Sequence, residues 1–403
     1  MDWTMTKNNV RPLPERTSEE TYELVMTVRE MGRLLQRMRD SLEGTFLREQ
    51  LTEIVDSLYD IGEVVDVHEI LGGCTNRSFG VDVERGGARK RYLVRKYKHG
   101  ISADEIRFEH ALINHAIDNG LTIGAGIVKN REGDTFVQPW NSNSFFAVYE
   151  FLEGEDRYTW DNPYLSDAEY GNAAKTLASY HNSVRGFDPG ALQRKEPPIP
   201  MLWPLLAERL ARIAAEGERG GKFLPYLREN LAEILGVMAE NPLDEAVAEG
   251  LPRIAAHYDY HPGNLKWDGD RVVGIFDFDW SKTDLRLFDV CLGLVYFCSH
   301  WNGSCDGEFR LDKCKIFLGD YQRRLRELGG LEAIGPGEER LLPLMLTVTN
   351  IYVLHWAAAT YMGSEEANDY EYLAYLKHHV RLMRWLKAHR AAIAEAAAEA
   401  LTC

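Results

Sequence analysis

From His257 to Trp280 the chain reads HYDYHPGNLKWDGDRVVGIFDFDW, setting histidines, an asparagine and several aspartates among strand-forming Val, Ile, Phe and Trp. Burying carboxylates is costly unless cations or hydrogen-bond donors meet them, so this stretch needs either solvent or a metal. Asp259 can serve as a base or an orienting carboxylate at a hydroxyl group. Asn264 and Asp277 offer the hard oxygen ligands that Mg2+ takes, with substrate phosphates among its remaining partners. A rival reading uses other atoms: His257, Asp259 and His261 alternate as they would along one strand face, and a hydrolytic metal held there could activate water. The bland reading is a surface hairpin with solvated acids.

These side chains need elements to hold them. VVGIFDF and its partner near Leu265 to Trp267, joined by DGD, read as a strand pair. Asp289, in RLFDVCLGL, stands at a predicted helix start, where it would cap or order the loop rather than bind metal. Ser166 and Glu169 form a capping box ahead of YGNAAKTLASYHNSV. Helical patterns recur around residues 203–216, 224–240, 308–328, 338–362 and 369–398. Earlier in the chain the period is two: EVVDVHEI, RSFGVDV and RYLVRKY predict an antiparallel meander, with turns at LGGCTN and ERGGARK. A helix over about 103–119 follows, then strands at DTFVQPW and SFFAVYEFL. Near the N-terminus, Thr17 and Glu20 make a capping box before an apolar stripe of Leu24, Val28, Met31, Leu35, Met38 and Leu42. A second helical stretch runs through FLREQLTEIVDSLYDIG and stops at Gly62. The stripe must be buried somewhere; packing on the chain's own body is expected, and pairing with a second copy is the alternative.

His257, Asp259 and Asn264 fall at the offsets of the protein-kinase catalytic loop H-R-D-L-x-x-x-N, and Asp277-Phe278 at those of D-F-G, with Asp279 in place of the glycine. In this HxDxxxxN form the chain resembles the aminoglycoside phosphotransferase and choline kinase family, whose members phosphorylate hydroxyl groups of small molecules. The resemblance covers about residues 61–300. It implies an α+β, protein-kinase-like fold of two lobes, a small antiparallel β N-lobe over 61–148 and a mostly helical C-lobe over 149–403; residues 1–60, read from their pattern as a helical extension, have no counterpart in it. It also implies ATP and Mg2+ as cofactors, with Asp259 catalytic and Asn264 and Asp277 at the metal.

LGGCTNRSFGV resembles the family's short nucleotide loop, which places Gly72, Gly73, Thr75 and Asn76 at the phosphates. RYLVRKY resembles the strand that carries the kinase lysine; Arg95 takes that position, or Lys96 in the other register. Leu93 shares a face with Arg95 and would touch adenine. EIRFEHALINHA offers Glu109 as the cation's partner, with Glu105 one turn earlier left open. FFAVYEFLEG matches the hinge, where backbone groups from Glu150 to Leu152 would bond adenine, and in LASYH the resemblance gives His181 a structural role. His257 likewise holds the loop backbone rather than doing chemistry. The start of the β region looks closest to homoserine-kinase-like and other metabolite kinases. The acceptor is left open among amino alcohols, amino acids, sugars and aminoglycoside-like molecules. Trp160, Asp161, Trp280, Trp301 and Trp356 would suit an amine or quaternary ammonium if they line a pocket. A catalytically silent nucleotide-binding regulator is the other class, and the intact Asp259, Asn264 and Asp277 speak against it.

A chain of 403 residues with 45 % hydrophobic content supports two lobes with a sizeable core. The formal charge of −16 argues against nucleic acid, which is bound through clustered Lys and Arg. The first residues lack the basic and apolar regions of a signal peptide, and no apolar run of membrane-spanning length is evident. A cytoplasmic enzyme, monomeric or homodimeric, without a membrane partner, is therefore expected. The six cysteines show no CxxC pair and read as buried thiols, and the NGS sequon at Asn302 has meaning only under secretion.

Overall fold

The structure, a computed structural model, describes residue 31 and residues 47–402, apart from 71–75, 141, 162–163, 193 and 365–366. Apart from Met31, the predicted stripe from Leu24 to Leu42 lies outside the described residues, as do Thr17, Glu20, Gly72, Gly73 and Thr75.

Five strands form one antiparallel sheet in the order β1-β2-β3-β5-β4: β1 (Glu63–Ile70), β2 (Arg77–Arg85), β3 (Ala88–Lys96), β4 (Ile127–Val128) and β5 (Phe146–Glu150). Side chains alternate across it. Tyr92, Val94, Phe146 and Val148 point to one side, where they pack with Leu47, Leu51, Ile54 and Val55 of helix α1 (residues 47–58). Ala147 and Tyr149 point to the other, against α2 (Ala103–Asp118). The sheet is thus covered on both faces. Gly62 makes the turn from α1 into β1 at φ 125°, and a Cβ there would lie 2.7 Å from the Glu84 carbonyl oxygen, so only glycine fits. Ser102 and Glu105 close a capping box at the start of α2.

The C-lobe is built from α3 (Asp167–Ser183), α4 (Ile199–Glu216), α5 (Phe223–Glu240), α6 (Arg286–Cys298), α7 (Leu311–Leu328), α8 (Pro336–Gly363), α9 (Asp369–Ala388) and α10 (Arg390–Thr402). The capping box at Ser166 and Glu169 starts α3. α8 is long and apolar enough to cross a membrane, contrary to the reading of the sequence. In this fold α4, α6, α9 and α10 pack around it, and 89 % of its apolar window is buried. Two short antiparallel pairs interrupt the helices. β6 (Arg253–Ala256) pairs with β9 (Lys282–Leu285), and β7 (Leu265–Asp268) pairs with β8 (Arg271–Ile275).

Three expectations are corrected. DTFVQPW is not a strand: only Val137 bridges Phe146, and Pro139 begins a turn in which its carbonyl accepts the Ser142 N–H. The fourth strand lies instead at Ile127–Val128. The pair β6–β9 was not foreseen, and the long C-terminal helix divides at His389.

Candidate active site

The loop after β6 is held by one carboxylate. Asp289, at the start of α6 and fully buried, accepts the backbone N–H groups of His257 and Tyr258, each at 2.8 Å, and the Nε2–H of His181 at 2.9 Å. Burial opposes its charge, but these donors outweigh the cost and keep its pKa below the usual carboxylate value. Burial lowers the His181 pKa although Asp289 pulls it the other way, and its Nδ1 lies 2.7 Å from the Tyr321 hydroxyl. His257 is buried too. Its Nδ1 accepts the Asp259 N–H at 3.3 Å, and its Nε2 lies 3.1 Å from the Phe276 carbonyl. The histidine of the motif therefore clamps the loop to the strand end that delivers Asp277.

Tyr258 (φ 68°) and Asp277 (φ 67°) are the described non-glycine residues with left-handed backbone. Such conformations cost about 1–3 kcal/mol each and persist only when the surroundings impose them. Here they turn Asp259 and Asp277 into the same cleft. Asn264 donates Nδ2–H to the Asp259 carbonyl at 2.8 Å and to its Oδ2 at 3.2 Å. This assignment of the amide leaves the Asn264 oxygen to offer to a cation. The strand geometry required by the hydrolase reading is absent: His257 is buried and engaged, and no group of three or more His, Cys, Asp or Glu among the described residues is arranged to hold a metal.

Across the cleft, Arg95 of β3 lies 3.3 Å from Glu109 of α2 and 3.2 Å from Asp277 Oδ1. Lys96 falls on the opposite, α1 side of the sheet by strand alternation. Glu105 is used elsewhere, capping α2 and facing Arg194 and Lys195. Glu109 also receives the Tyr97 hydroxyl at 3.0 Å and that of Tyr149 at 3.3 Å, and His110 lies 2.9 Å from both hydroxyls. Burial pushes the Glu109 carboxyl up, and Arg95 pulls it back. Asp277 is likewise pushed up by burial, against Arg95, with Asp279, Asp259 and Glu109 adding to the rise. Asp279 accepts Asn76 Nδ2 at 2.9 Å and Lys98 Nζ at 3.2 Å. Burial opposes ionisation there also, yet Lys98 and Arg95 hold its pKa down.

One cavity of about 410 Å³ runs between these walls. Leu93, Arg95, Glu109, Glu150 and Leu152 line it from the sheet and hinge, and Asp259, Asn264 and Asp277 line it from the C-lobe. The Glu150 N–H is already donated to the Gly126 carbonyl at 2.7 Å, so of the expected hinge groups that one is engaged. Aromatic side chains of Trp160, Tyr296, Tyr352 and Trp356 line it as well. Trp280 also lines the cavity, whereas Asp161 and Trp301 are buried and do not; Trp301 packs edge-on against Trp160 at 4.9 Å. The residues fit a metal-bound triphosphate. Arg95 Nε is a buried donor without a hydrogen-bond partner, and Asp277 Oδ1 is a buried acceptor without one, since its approach to Arg95 Nη1 has ion-pair distance but not hydrogen-bond geometry. A phosphate oxygen and a cation would satisfy the two. The sequence reading did not single out Tyr97, Lys98 or Tyr149. Period two from Arg95 marks Tyr97 as its neighbour on the same face; no such local signal marks Lys98 or Tyr149.

A two-lobed fold with a nucleotide-sized cleft, a buried Arg–Glu pair and a carboxylate-bearing loop defines a kinase-like phosphotransferase. The sequence model of the phosphotransferase enzyme family, APH, matches residues 66–328, and the chain belongs to that family. It is an ATP-dependent small-molecule kinase. Among curated proteins it is 27 % identical over 296 residues to a homoserine kinase of Rhodopseudomonas palustris (strain ATCC BAA-98 / CGA009), covering 73 % of this chain and 79 % of that one. Another homoserine kinase, from Sinorhizobium fredii (strain NBRC 101917 / NGR234), is 27 % identical over 265 residues, 66 % of this chain and 72 % of its own. Among solved structures, spectinomycin phosphotransferase in complex with ADP and spectinomycin superposes with a TM-score of 0.58 at 15 % identity, over 84 % of this chain and 98 % of that one. Choline kinase from Cryptosporidium parvum Iowa II gives 0.57 at 15 % identity, over 84 % and 93 %.

Proposed function

We propose that the protein moves the γ-phosphate of ATP, bound with Mg2+, to the hydroxyl of a small metabolite that also carries an amino group. The observation that carries this reading is the convergence of Asp259, Asn264, Asp277 and Arg95 on one cavity whose buried donor and acceptor lack partners. Asp259 takes the proton of the acceptor hydroxyl as its oxygen forms a bond to the γ-phosphorus, and the bond to the bridging oxygen breaks to leave ADP. Arg95, fixed by Glu109, faces the phosphates, with Asn76 of the nucleotide loop beside them; Gly72, Gly73 and Thr75 complete that loop in this reading. Glu150 and Leu152 frame the adenine. Asn264 and Asp277 would hold Mg2+, which supplies charge neutralisation to the triphosphate.

For the acceptor, the aromatic lining of Trp160, Tyr296, Tyr352 and Trp356 in the cavity that holds Asp259 suits a cationic nitrogen. The named relatives, homoserine kinases and choline kinase, support the same class. The test is ADP release on a panel of homoserine, ethanolamine, choline and spectinomycin, with glycerol as the uncharged control. Turnover is expected with an amine-bearing member and not with glycerol; tight ATP binding without turnover on any of them would favour the silent regulator. In parallel, Mg2+ should tighten ATP binding to the wild type and not to Asp277→Ala, by titration calorimetry. Equal affinities in all four cases would remove Asp277 from the metal site.

A further inference from the structure

His261 follows Asp259 by two residues and lines the same cavity, with its side chain 13 % exposed. Its Nδ1 accepts the backbone N–H of Gly263 at 3.0 Å, closing the short turn Pro262–Asn264. A backbone amide can only donate, so Nδ1 carries the lone pair and the ring proton sits on Nε2. That Nε2 lies 3.6 Å from Asp259 Oδ2. The ring has little freedom to leave. A Cβ on residue 263 would fall 3.0 Å from His261 Cε1 and 3.1 Å from Nδ1, so glycine there is what lets the ring fold over the turn. Tyr296 braces its other side edge-on, with centroids 5.3 Å apart at 67°.

We infer that His261 is a positioning residue of the transfer site: its Nε2–H is aimed at Asp259 Oδ2, leaving Oδ1 as the oxygen that takes the acceptor's proton. The inference rests on the reading of Asp259 as the base. Asn264 Nδ2 reaches the same Oδ2 at 3.2 Å, so both donors fall on one oxygen of the carboxylate. A distance of 3.6 Å is just beyond a hydrogen bond, and catalytic contacts are commonly long before substrate closes the site. His257 offers the contrast. Its Nδ1 is engaged by a backbone N–H in the same way, but its Nε2–H is given to the Phe276 carbonyl and its ring is buried. Of these two histidines, His261 keeps its distal N–H for the cavity.

Two isosteric substitutions separate the ends of the ring. His261→Asn keeps an acceptor for the Gly263 N–H and removes the distal donor, while His261→Gln keeps the distal N–H and gives up the turn. The readout is Mg2+-dependent ATP hydrolysis, followed as radiolabelled phosphate, with water as the acceptor. His261→Asn is expected to lower kcat by about 10- to 100-fold, as small misplacements of a catalytic group do, with KM for ATP and Tm unchanged. His261→Gln is expected to recover most of the rate despite a lower Tm. Wild-type kcat in His261→Asn, or rates that fall in both variants in step with Tm, overturns the inference. Asp259→Asn separates the two levels: if it hydrolyses ATP at the wild-type rate, the base reading itself fails. An inactive Asp259→Asn beside a fully active His261→Asn removes only the role of His261.

Discussion

Asp289 never touches the reacting atoms, yet the placement of Asp259 depends on it. Replacing it with alanine would leave the N–H groups of His257 and Tyr258 and the Nε2–H of His181 buried without an acceptor. The cost of such a loss is roughly 3–5 kcal/mol, to be read as a drop in Tm and in denaturation midpoint. The effect also has a pH signature. Because the folded pKa lies below the unfolded value of about 3.9, the stabilisation is fully present above that value and is lost as pH falls through the folded one. The stability gap between wild type and Asp289→Asn should therefore be constant near neutrality and narrow below about pH 4. A gap that is independent of pH down to acid unfolding would mean that Asp289 is not bound as the anion.

Among the elements, α1 deserves a direct test because it covers the face of the sheet turned away from the cleft. Leu51 is fully buried between α1 and the strands, so Leu51→Ala should cost about 2–5 kcal/mol in the β lobe. Unchanged Tm would show that α1 does not hold the sheet. Much at this level was readable in advance. Period two marked β1 to β3, the Ser166 and Glu169 pair marked α3, and DGD marked the β7–β8 turn, since each signal is local. The motif spacing from His257 to Asp277 was readable for the same reason: one loop and one hairpin bring those residues together. What failed was either too short or too distant. The four-residue strands RIAA and KTDL show no alternation to detect, the break at His389 carries neither Gly nor Pro, and DTFVQPW has strand composition but a single bridge, Val137 to Phe146. Asn76 and Asp279 are 203 residues apart, so no window of sequence contains their bond.

At the scale of the whole molecule that bond matters most, because Asn76 and Lys98 belong to the β lobe and Asp279 to the C-lobe. The lobes also meet behind the cleft, where the Ile275 N–H donates to the Ile123 carbonyl at 3.0 Å. Asp279 is therefore a latch at the front of a cleft that is hinged at the back. Asp279→Ala should open the nucleotide-free protein, seen as a larger radius of gyration by small-angle scattering. Identical scattering from the two proteins would mean that the rear contacts alone set the angle. The distribution of indoles around this cleft has a practical side. Trp160, Trp280 and Trp356 line the cavity, whereas Trp140 is 95 % exposed on the β lobe. The protein consequently carries its own optical reporter: acrylamide quenches Trp140 whatever the cavity holds, and the change in emission that remains follows ligands as they fill the space between the lobes.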